Sequence, residues 1–401
     1  MSPLFLYDDA RARSFAPFAL TRPLGEMRAG AALIRHRWEQ ALGLTTAGAV
    51  TAPHLSCFEE LDAPPAAAGE LPAGAVVANT RCVAPLGWSD RAADVWTCAG
   101  RVAAVRLARA TPVAELDGGE APLETLGAAG TRVVELSGRW LDAVWSFIVD
   151  LAAQLRDDIA AVGPTLDRII PEQAIVLGSH GVFVERGATV EPAVCFDVTA
   201  GPVMIRQGAS VRAFTRLVGP CVVGAGASVL GDRVAGCSIG EASIVRGEIS
   251  ETIVLGHANK AHDGFVGHSY LGRWVNLGAG TITSNLKNTY GTVQLWTPDG
   301  VRDTGVMKLG AFIGDHVKTG IGTRLTTGSV LGAGSNVYGS AMPPKYVPPF
   351  SWGEGADLST YRLDKFLDTA ERAMSRRGIA LGESARRQLA DAHAVSVEAR
   401  R

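Results

Sequence analysis

Apolar residues recur at every sixth position through much of the second half of the chain. One run is Ile205, Val211, Leu217, Val223 and Val229, a second is Phe265, Leu271 and Leu277, and a third is Ile313, Thr319, Leu325, Leu331 and Val337. A helix repeats near 3.6 residues and a half-buried strand at two, so neither accounts for this spacing. Sixfold spacing suits a triangular coil. Each flat face takes six residues, one side chain points to the axis, and glycine or small residues turn the corners. The stretches VVGAGASVLGD and VLGAGSNVYG supply those corners. Three in-phase runs separate this reading from a β-sandwich, whose strands follow one another at roughly 8–12 residues without a fixed phase. The pattern predicts a left-handed parallel β-helix of the hexapeptide-repeat kind over residues 170–355.

The flanking regions have other textures. Residues 1–165 read as mixed α/β. Strand-like runs occur at Leu4–Tyr7, Ala75–Ala78 and Val102–Leu107, and a helical stretch runs from about Gly30 to Leu42. The segments APPAAAGELPAGA and DGGEAPLETLGAAG read as loops or connections. Helical periodicity over Leu141–Ile159 leads toward the repeat, with Pro164 and Pro171 marking the break. Residues 356–401 read as a helical segment. Leu363, Phe366, Leu367, Ala370 and Met374 share one face, Gly378 is a stop, and a second helix runs from Glu383 to about His393. A cap over the open end of the β-helix, or a packing arm, is the expected role.

Composition narrows the classes. Charged residues make up 19% of the 401 and the formal charge is −2, which gives no electrostatic footprint for nucleic acid or an anionic membrane. No apolar run is long enough for a membrane span, and MSPLFLYDDARARSF is too acidic and too briefly apolar for a signal peptide. The six dispersed cysteines form no CxxC pair, so buried reduced thiols in a cytoplasmic protein are expected.

Candidate chemistry lies where the sixfold pattern breaks, between Leu255 and Met307. His257, His262, His268, Lys260, Lys287, Asn259, Asp263, Asn276, Asn285 and Asn288 crowd together there, in a domain otherwise built of small and apolar groups. Polar groups on a rigid scaffold cost stability unless paired or solvated, which marks the segment as a candidate site. The run HDGFVGHSYLGRWVNLGAGTITSN (His262–Asn285) resembles the acetyltransferase half of the bifunctional glucosamine-1-phosphate acetyltransferase / N-acetylglucosamine-1-phosphate uridylyltransferase family. With TSNLKNTYG and PPKYVPPFSWGEG, it resembles a divergent branch of that family, labelled sugar nucleotidyltransferases.

The resemblance implies roles for particular residues. His262 falls on the catalytic base, which would take the proton from an amino-sugar amine before it attacks a thioester; a histidine, titrating near ~6.5, suits that task. Phe265 stands where the family has a sugar-contacting tyrosine. Asn276 falls on a sugar-binding asparagine, and Asn285 on a residue near the reacting groups. Ala279 falls on a contact to the acyl donor, where its backbone N–H could stabilise an oxyanion. Lys287 matches a phosphate-binding lysine, and Lys260 is a second candidate for phosphate. The family also implies acetyl-coenzyme A as co-substrate and a homotrimer whose neighbouring subunits complete each site.

In the first domain the resemblance is looser. LYDDARARSFAPFALTRPLGEMRAG replaces the glycine-rich nucleotide loop of the uridylyltransferases, and a carboxylate pair for Mg²⁺ is not evident. Arg22 and Arg28 match the TRP…R pattern of the divergent branch and could meet nucleotide phosphates; pairing with Asp8, Asp9 or Glu26 is the structural alternative. Asn79, ending AVVAN, is a further candidate. Mg²⁺ is expected only if this reduced nucleotidyltransferase-like domain is active. The expected function is acyl transfer from acetyl-coenzyme A to an amino sugar 1-phosphate, in nucleotide-sugar synthesis. The competing readings are a sugar-1-phosphate nucleotidyltransferase that uses the β-helix to trimerise, and a non-catalytic scaffold.

Overall fold

The computed structural model describes residues 2–88, 90–116, 118–127, 132–169 and 171–400, and the chain divides into two units. Residues 117 and 128–130 of the DGGEAPLETLGAAG loop lie outside the described residues.

The first unit holds residues up to Val144 together with Leu381–Ala399. Its sheet has six strands: β1 (Leu4–Tyr7), β2 (Thr46–Val50), β3 (Val76–Asn79), β4 (Val95–Cys98), β5 (Arg101–Arg106) and β6 (Val133–Glu135), in the order β6-β4-β5-β3-β1-β2. Strand β1 pairs in parallel with β2 on one side and β3 on the other. Strand β5 runs antiparallel to both β3 and β4. All four residues of β3 are buried, as a strand covered on both faces requires. Because the chain moves from β1 to β2 and then returns to β3 on the opposite side of β1, a crevice opens at the carboxyl ends of β1 and β3. Open α/β sheets bind ligands at such a switch point. Asp9, just past β1, caps the short helix α1 (Ala10–Arg13), its side chain accepting from Ala12 N at 2.9 Å. Helix α2 (Ile34–Leu42) buries Ile34, Trp38 and Ala41, and ends at Gly43 in the left-handed region that glycine tolerates.

The second unit is a parallel β-solenoid. Two ten-stranded walls run the length of the repeat, and a six-stranded wall forms the third face from Ile175 to Gly267. One inward column is Val184, Ile205, Val223, Ile239, Val254, Leu271, Ile313, Leu331 and Val347, each in register with the next. Coils are not of one length. The column advances eighteen residues from Ile205 to Val223, then sixteen to Ile239, fifteen to Val254 and seventeen to Leu271. These deletions explain a difference from the expected phase. Leu271 and Leu277 are buried as predicted, but between them and the preceding coil it is Val266, in register with Ile249, that enters the core, and Phe265 is only half-buried.

Corners carry their own signature. His257, Trp274 and His316 all adopt positive φ, at 52°, 63° and 60°, and form an aromatic column with centroid spacings of 4.7 and 6.3 Å. Between Asn285 and Leu309 the chain leaves the wall as an arm containing an antiparallel hairpin, Gln294–Thr297 with Gly300–Asp303. It leaves and returns at one point, where Leu309 N donates to Asn285 O at 2.9 Å.

Helix begins later than the periodicity over Leu141–Ile159 predicts. Arg139 and Trp140 instead pair as a strand with Cys82 and Val83, and the helices are α3 (Ser146–Val149) and α4 (Leu151–Val162). Helix α5 (Leu363–Ser375) buries the expected face, with Phe366 set against Phe350 at 4.9 Å and His316 at 5.8 Å. Helix α6 (Glu383–Glu398) groups with the first unit, where Ala385 N donates to Glu59. Four of the cysteines are buried, while Cys57 and Cys195 are half-buried, and all six are free thiols. Among the described residues, no helix is long and apolar enough to cross a membrane.

Candidate functional site

Asn259 and Asn276 are neighbours on one wall in consecutive coils, with Asn259 Nδ2 donating to Asn276 Oδ1 at 2.9 Å. Four residues further on, Gly280 N donates to Asp263 O, which keeps the next corner in register. His262 and Ala279 therefore occupy equivalent corner positions, one coil apart. His262 is exposed and Ala279 half-buried. The Ala279 N–H makes no hydrogen bond among the described residues. An imidazole and a free backbone donor one coil apart on a rigid edge can serve a proton acceptor and an oxyanion stabiliser.

Asn285 is fixed from behind. Its amide meets His268 Nδ1 at 2.9 Å, and His268 Nε2 faces the Glu251 carboxylate at 3.0 Å. The hydrogen bond to His268 holds the Glu251 carboxyl below its usual range. With both ring nitrogens engaged, His268 orients Asn285 and is not available as a base. Gly267 is required beside it. A Cβ there would stand 2.4 Å from the Phe265 ring and 2.8 Å from the Asn285 amide. His268→Ala should free the Asn285 amide and lower kcat about tenfold, the scale of a lost supporting partner, with the fold intact by circular dichroism. Unaltered kcat would dissociate the relay from catalysis.

The two lysines are held by backbone. Lys260 is 2% exposed and occupies an inward position in register with Val190, Val211, Val229 and Val245. Its ammonium donates to Arg246 O and Asp263 O, each at 3.2 Å, and to His262 O. Burial lowers its pKa to about 8. Lys287 donates to Thr292 O at the base of the arm. Lys260 thus serves as a corner post under the His262 turn.

In the first unit, the crevice at the ends of β1 and β3 is a cavity of about 380 Å³ lined by Asp9, Arg11, Asn79, Arg81, Arg101 and Trp140, among others. Asn79 donates to Asp9 Oδ2 at 2.9 Å and accepts from Arg81 N at 2.9 Å. Arg81 engages both Asp9 oxygens, and Arg101 lies 3.8 Å over the Trp140 ring. Burial works to raise the Asp9 pKa, but the hydrogen bonds from Arg81 and Asn79 outweigh it and hold the carboxyl low. Its neighbour Asp8 is buried and pushed up, and it accepts from Thr51 and Thr80 at 2.7 Å each, tying β2 and β3 to the end of β1. Arg22 and Arg28 lie elsewhere, buried. Arg22 pairs with Glu60 at 2.8 Å, and Arg28 donates to Ala31 O at 2.8 Å. Sequence reasoning passed over Arg81, Arg101 and Trp140; the position of Arg81 two residues past Asn79 was the available signal.

Magnesium needs several oxygen donors near octahedral geometry. Of the three carboxylates lining the crevice, Asp9 has both oxygens committed to Arg81, Asn79 and Ala12 N. No cluster of three or more His, Cys, Asp or Glu side chains able to hold a metal occurs among the described residues. Glu120 and Glu124, which also line the crevice, are the carboxylates that would meet a magnesium ion beside nucleotide phosphates.

A mixed sheet with a polar switch-point crevice thus precedes, along the chain, a hexapeptide-type solenoid with a polar corner. Residues 4–164 match the family described as sugar nucleotidyl transferase. The bifunctional sugar-1-phosphate nucleotidylyltransferase/acetyltransferase of Sulfurisphaera tokodaii is 35% identical over 95 residues, 24% of each chain. The bifunctional protein GlmU of Desulfitobacterium hafniense is 30% identical over 194 residues, 41% of this chain and 39% of the relative. That of Methanococcus vannielii is 36% identical over 98 residues, 24% and 23% respectively. The resemblance to bifunctional nucleotidyltransferase/acetyltransferases is thereby supported, and the matches span from about a quarter to two-fifths of these relatives' length.

Proposed function

We propose that the solenoid transfers an acetyl group from acetyl-coenzyme A to the amine of an amino sugar 1-phosphate. The observation that carries this reading is the juxtaposition of His262 and Ala279 on one edge, beside the Asn259–Asn276 ladder. The amine nitrogen attacks the thioester carbon and a C–N bond forms. His262 accepts the amine proton, the carbonyl oxygen gathers charge opposite the Ala279 N–H, and the C–S bond breaks to release the coenzyme A thiolate, which is then protonated. Asn276 and Asn285 hold the sugar. The assay is release of free thiol from acetyl-coenzyme A in the presence of glucosamine 1-phosphate; no release with this or related amino sugar phosphates would sink the proposal.

His262 and Ala279 face solvent in the single chain, and a second copy laid against that edge would exclude water from the thioester. A homotrimer meets that need. Light scattering should give three times the 41.9 kDa chain mass; a monomer at working concentration, active as such, would remove this part of the reading.

The switch-point crevice supports a second activity. Arg11, Arg81 and Arg101 suit a nucleoside triphosphate, with Trp140 beside them and Asn79 on the floor. Its test is exchange of labelled pyrophosphate into nucleoside triphosphate in the presence of a sugar nucleotide. Exchange abolished by Arg81→Ala supports it, and absence of exchange argues for a binding or scaffolding domain.

A further inference from the structure

Along α5 runs a groove of about 520 Å³ whose floor is the wall that bears Asn259 and Asn276. Lys318 stands on that floor, in register with Asn276. Arg372, Arg376 and Arg377 line the opposite side from α5 and the residues just after it. None of the described residues lining the groove is acidic. Four cations therefore surround one space without a carboxylate among them. Arg372 and Arg376 form no ion pair among the described residues and are exposed. Lys318 Nζ donates to Trp274 O at 2.6 Å, and burial pulls its pKa down to about 8. Burial and the neighbouring Arg376 charge also lower the Arg377 pKa. Like charges gathered in a concave space repel one another, and an anion relieves that repulsion.

The floor offers a different chemistry. Asn276 Oδ1 accepts from Asn259, while its Nδ2 makes no hydrogen bond among the described residues. An amide donor in reach of a cationic rim matches a molecule with hydroxyls at one end and a phosphoryl group at the other.

We propose that this groove binds a phosphorylated sugar, with Arg372, Arg376 and Lys318 holding the phosphoryl group and Asn276 a ring hydroxyl. The sugar assignment rests on the acyl-transfer reading above, whereas the phosphoryl assignment rests on the charge of the groove. Because α5 and the wall belong to one unit, the phosphoryl contacts come from a single chain. Helix α5 is then a substrate-binding element rather than only a packing arm.

The experiment is titration calorimetry on the full-length chain with glucosamine 1-phosphate and with glucosamine. The phosphorylated sugar is expected to bind at least tenfold more tightly. The double variant R372Q/R376Q should weaken it by about 10- to 100-fold, the scale of one or two lost charge-assisted hydrogen bonds, and leave glucosamine unaffected. Arg372→Lys, which keeps the charge, should recover part of the loss. Both arginines are exposed, so melting temperatures should stay near wild type. Equal binding of glucosamine 1-phosphate by the variant and wild type would overturn the proposal. A second arm compares acetyl-coenzyme A with its 3′-dephospho form. A loss confined to that comparison would assign the phosphoryl group to the donor and overturn the sugar assignment. Binding is read without turnover, so a failure of acetyl transfer itself would register separately.

Discussion

Replacing His262 with alanine is expected to cut acetyl transfer to an amino sugar phosphate by about 10²- to 10⁴-fold, the contribution usual for a positioned general base. The size follows from what the residue does and does not do. Its imidazole is exposed and makes no hydrogen bond among the described residues, while its carbonyl holds Lys260 and survives the substitution. Stability should therefore shift by no more than about 0.5 kcal/mol, as for surface positions free of special contacts. Binding of acetyl-coenzyme A should persist, since Ala279 and its coil are unaltered. The decisive measurement is kcat for the variant beside its melting temperature. A tenfold or smaller change in kcat would assign the proton to another acceptor; a collapse in both would make the residue structural.

Lys260→Ala should behave in the opposite way, with a large loss of stability. The ammonium satisfies three corner carbonyls, and its stem fills a slot that valines occupy in four other coils. Truncation leaves a cavity and unsatisfied acceptors, together costing about 2–4 kcal/mol. For a unit of this size that lowers the melting temperature by roughly 5–15 °C. Lys260→Met, which keeps the stem, should lose about half as much. A pH signature accompanies this. The folded-state pKa is about 8 against 10.5 for the free group. Below about 8 both folded and unfolded chains carry the proton and no slope arises. Between about 8 and 10.5 only the unfolded chain binds it, so stability rises with pH. Lys318, also shifted to about 8 by burial, adds a rise of the same sign. Lys260→Met should remove part of the slope. Were Lys260 instead a phosphate ligand, Lys260→Met would raise KM and leave the melting temperature alone.

The solenoid was legible because its geometry repeats. Ile205, Val211, Leu217, Val223 and Val229 are all fully buried, one for each wall in turn. Phase was lost where coils shorten. A deletion at a corner shifts the inward position by one, and Phe265 and Val266 are both apolar, so nothing in the pattern distinguishes them. Lys260 was unreadable for a related reason. A lysine at a core position looks like a solvated or binding residue until the carbonyls beneath it are in place. Arg22 and Glu60 lie 38 residues apart in sequence, and only the fold brings them into contact. Asn79 was more accessible, since it ends a strand-like run and such ends carry sites in α/β sheets. The cationic rim was missed because Lys318 and the α5 arginines come from segments that read separately as a repeat and a helical tail.

The arm between Asn285 and Leu309 leaves and rejoins the wall at one seam, where Leu309 N donates to Asn285 O, and the coils on either side stay in register across it. Lys345 Nζ donating to Gln294 O at 3.1 Å and Trp296 stacked on Tyr346 at 3.6 Å tie its hairpin back to the solenoid. Loop closure costs only about 0.6 kcal/mol per doubling of length, so arms of other sizes can be grafted at that seam provided they replace the buried Val293 and Leu295 side chains. The scaffold thereby separates durability from selectivity: one part can diversify while the rest is conserved in shape.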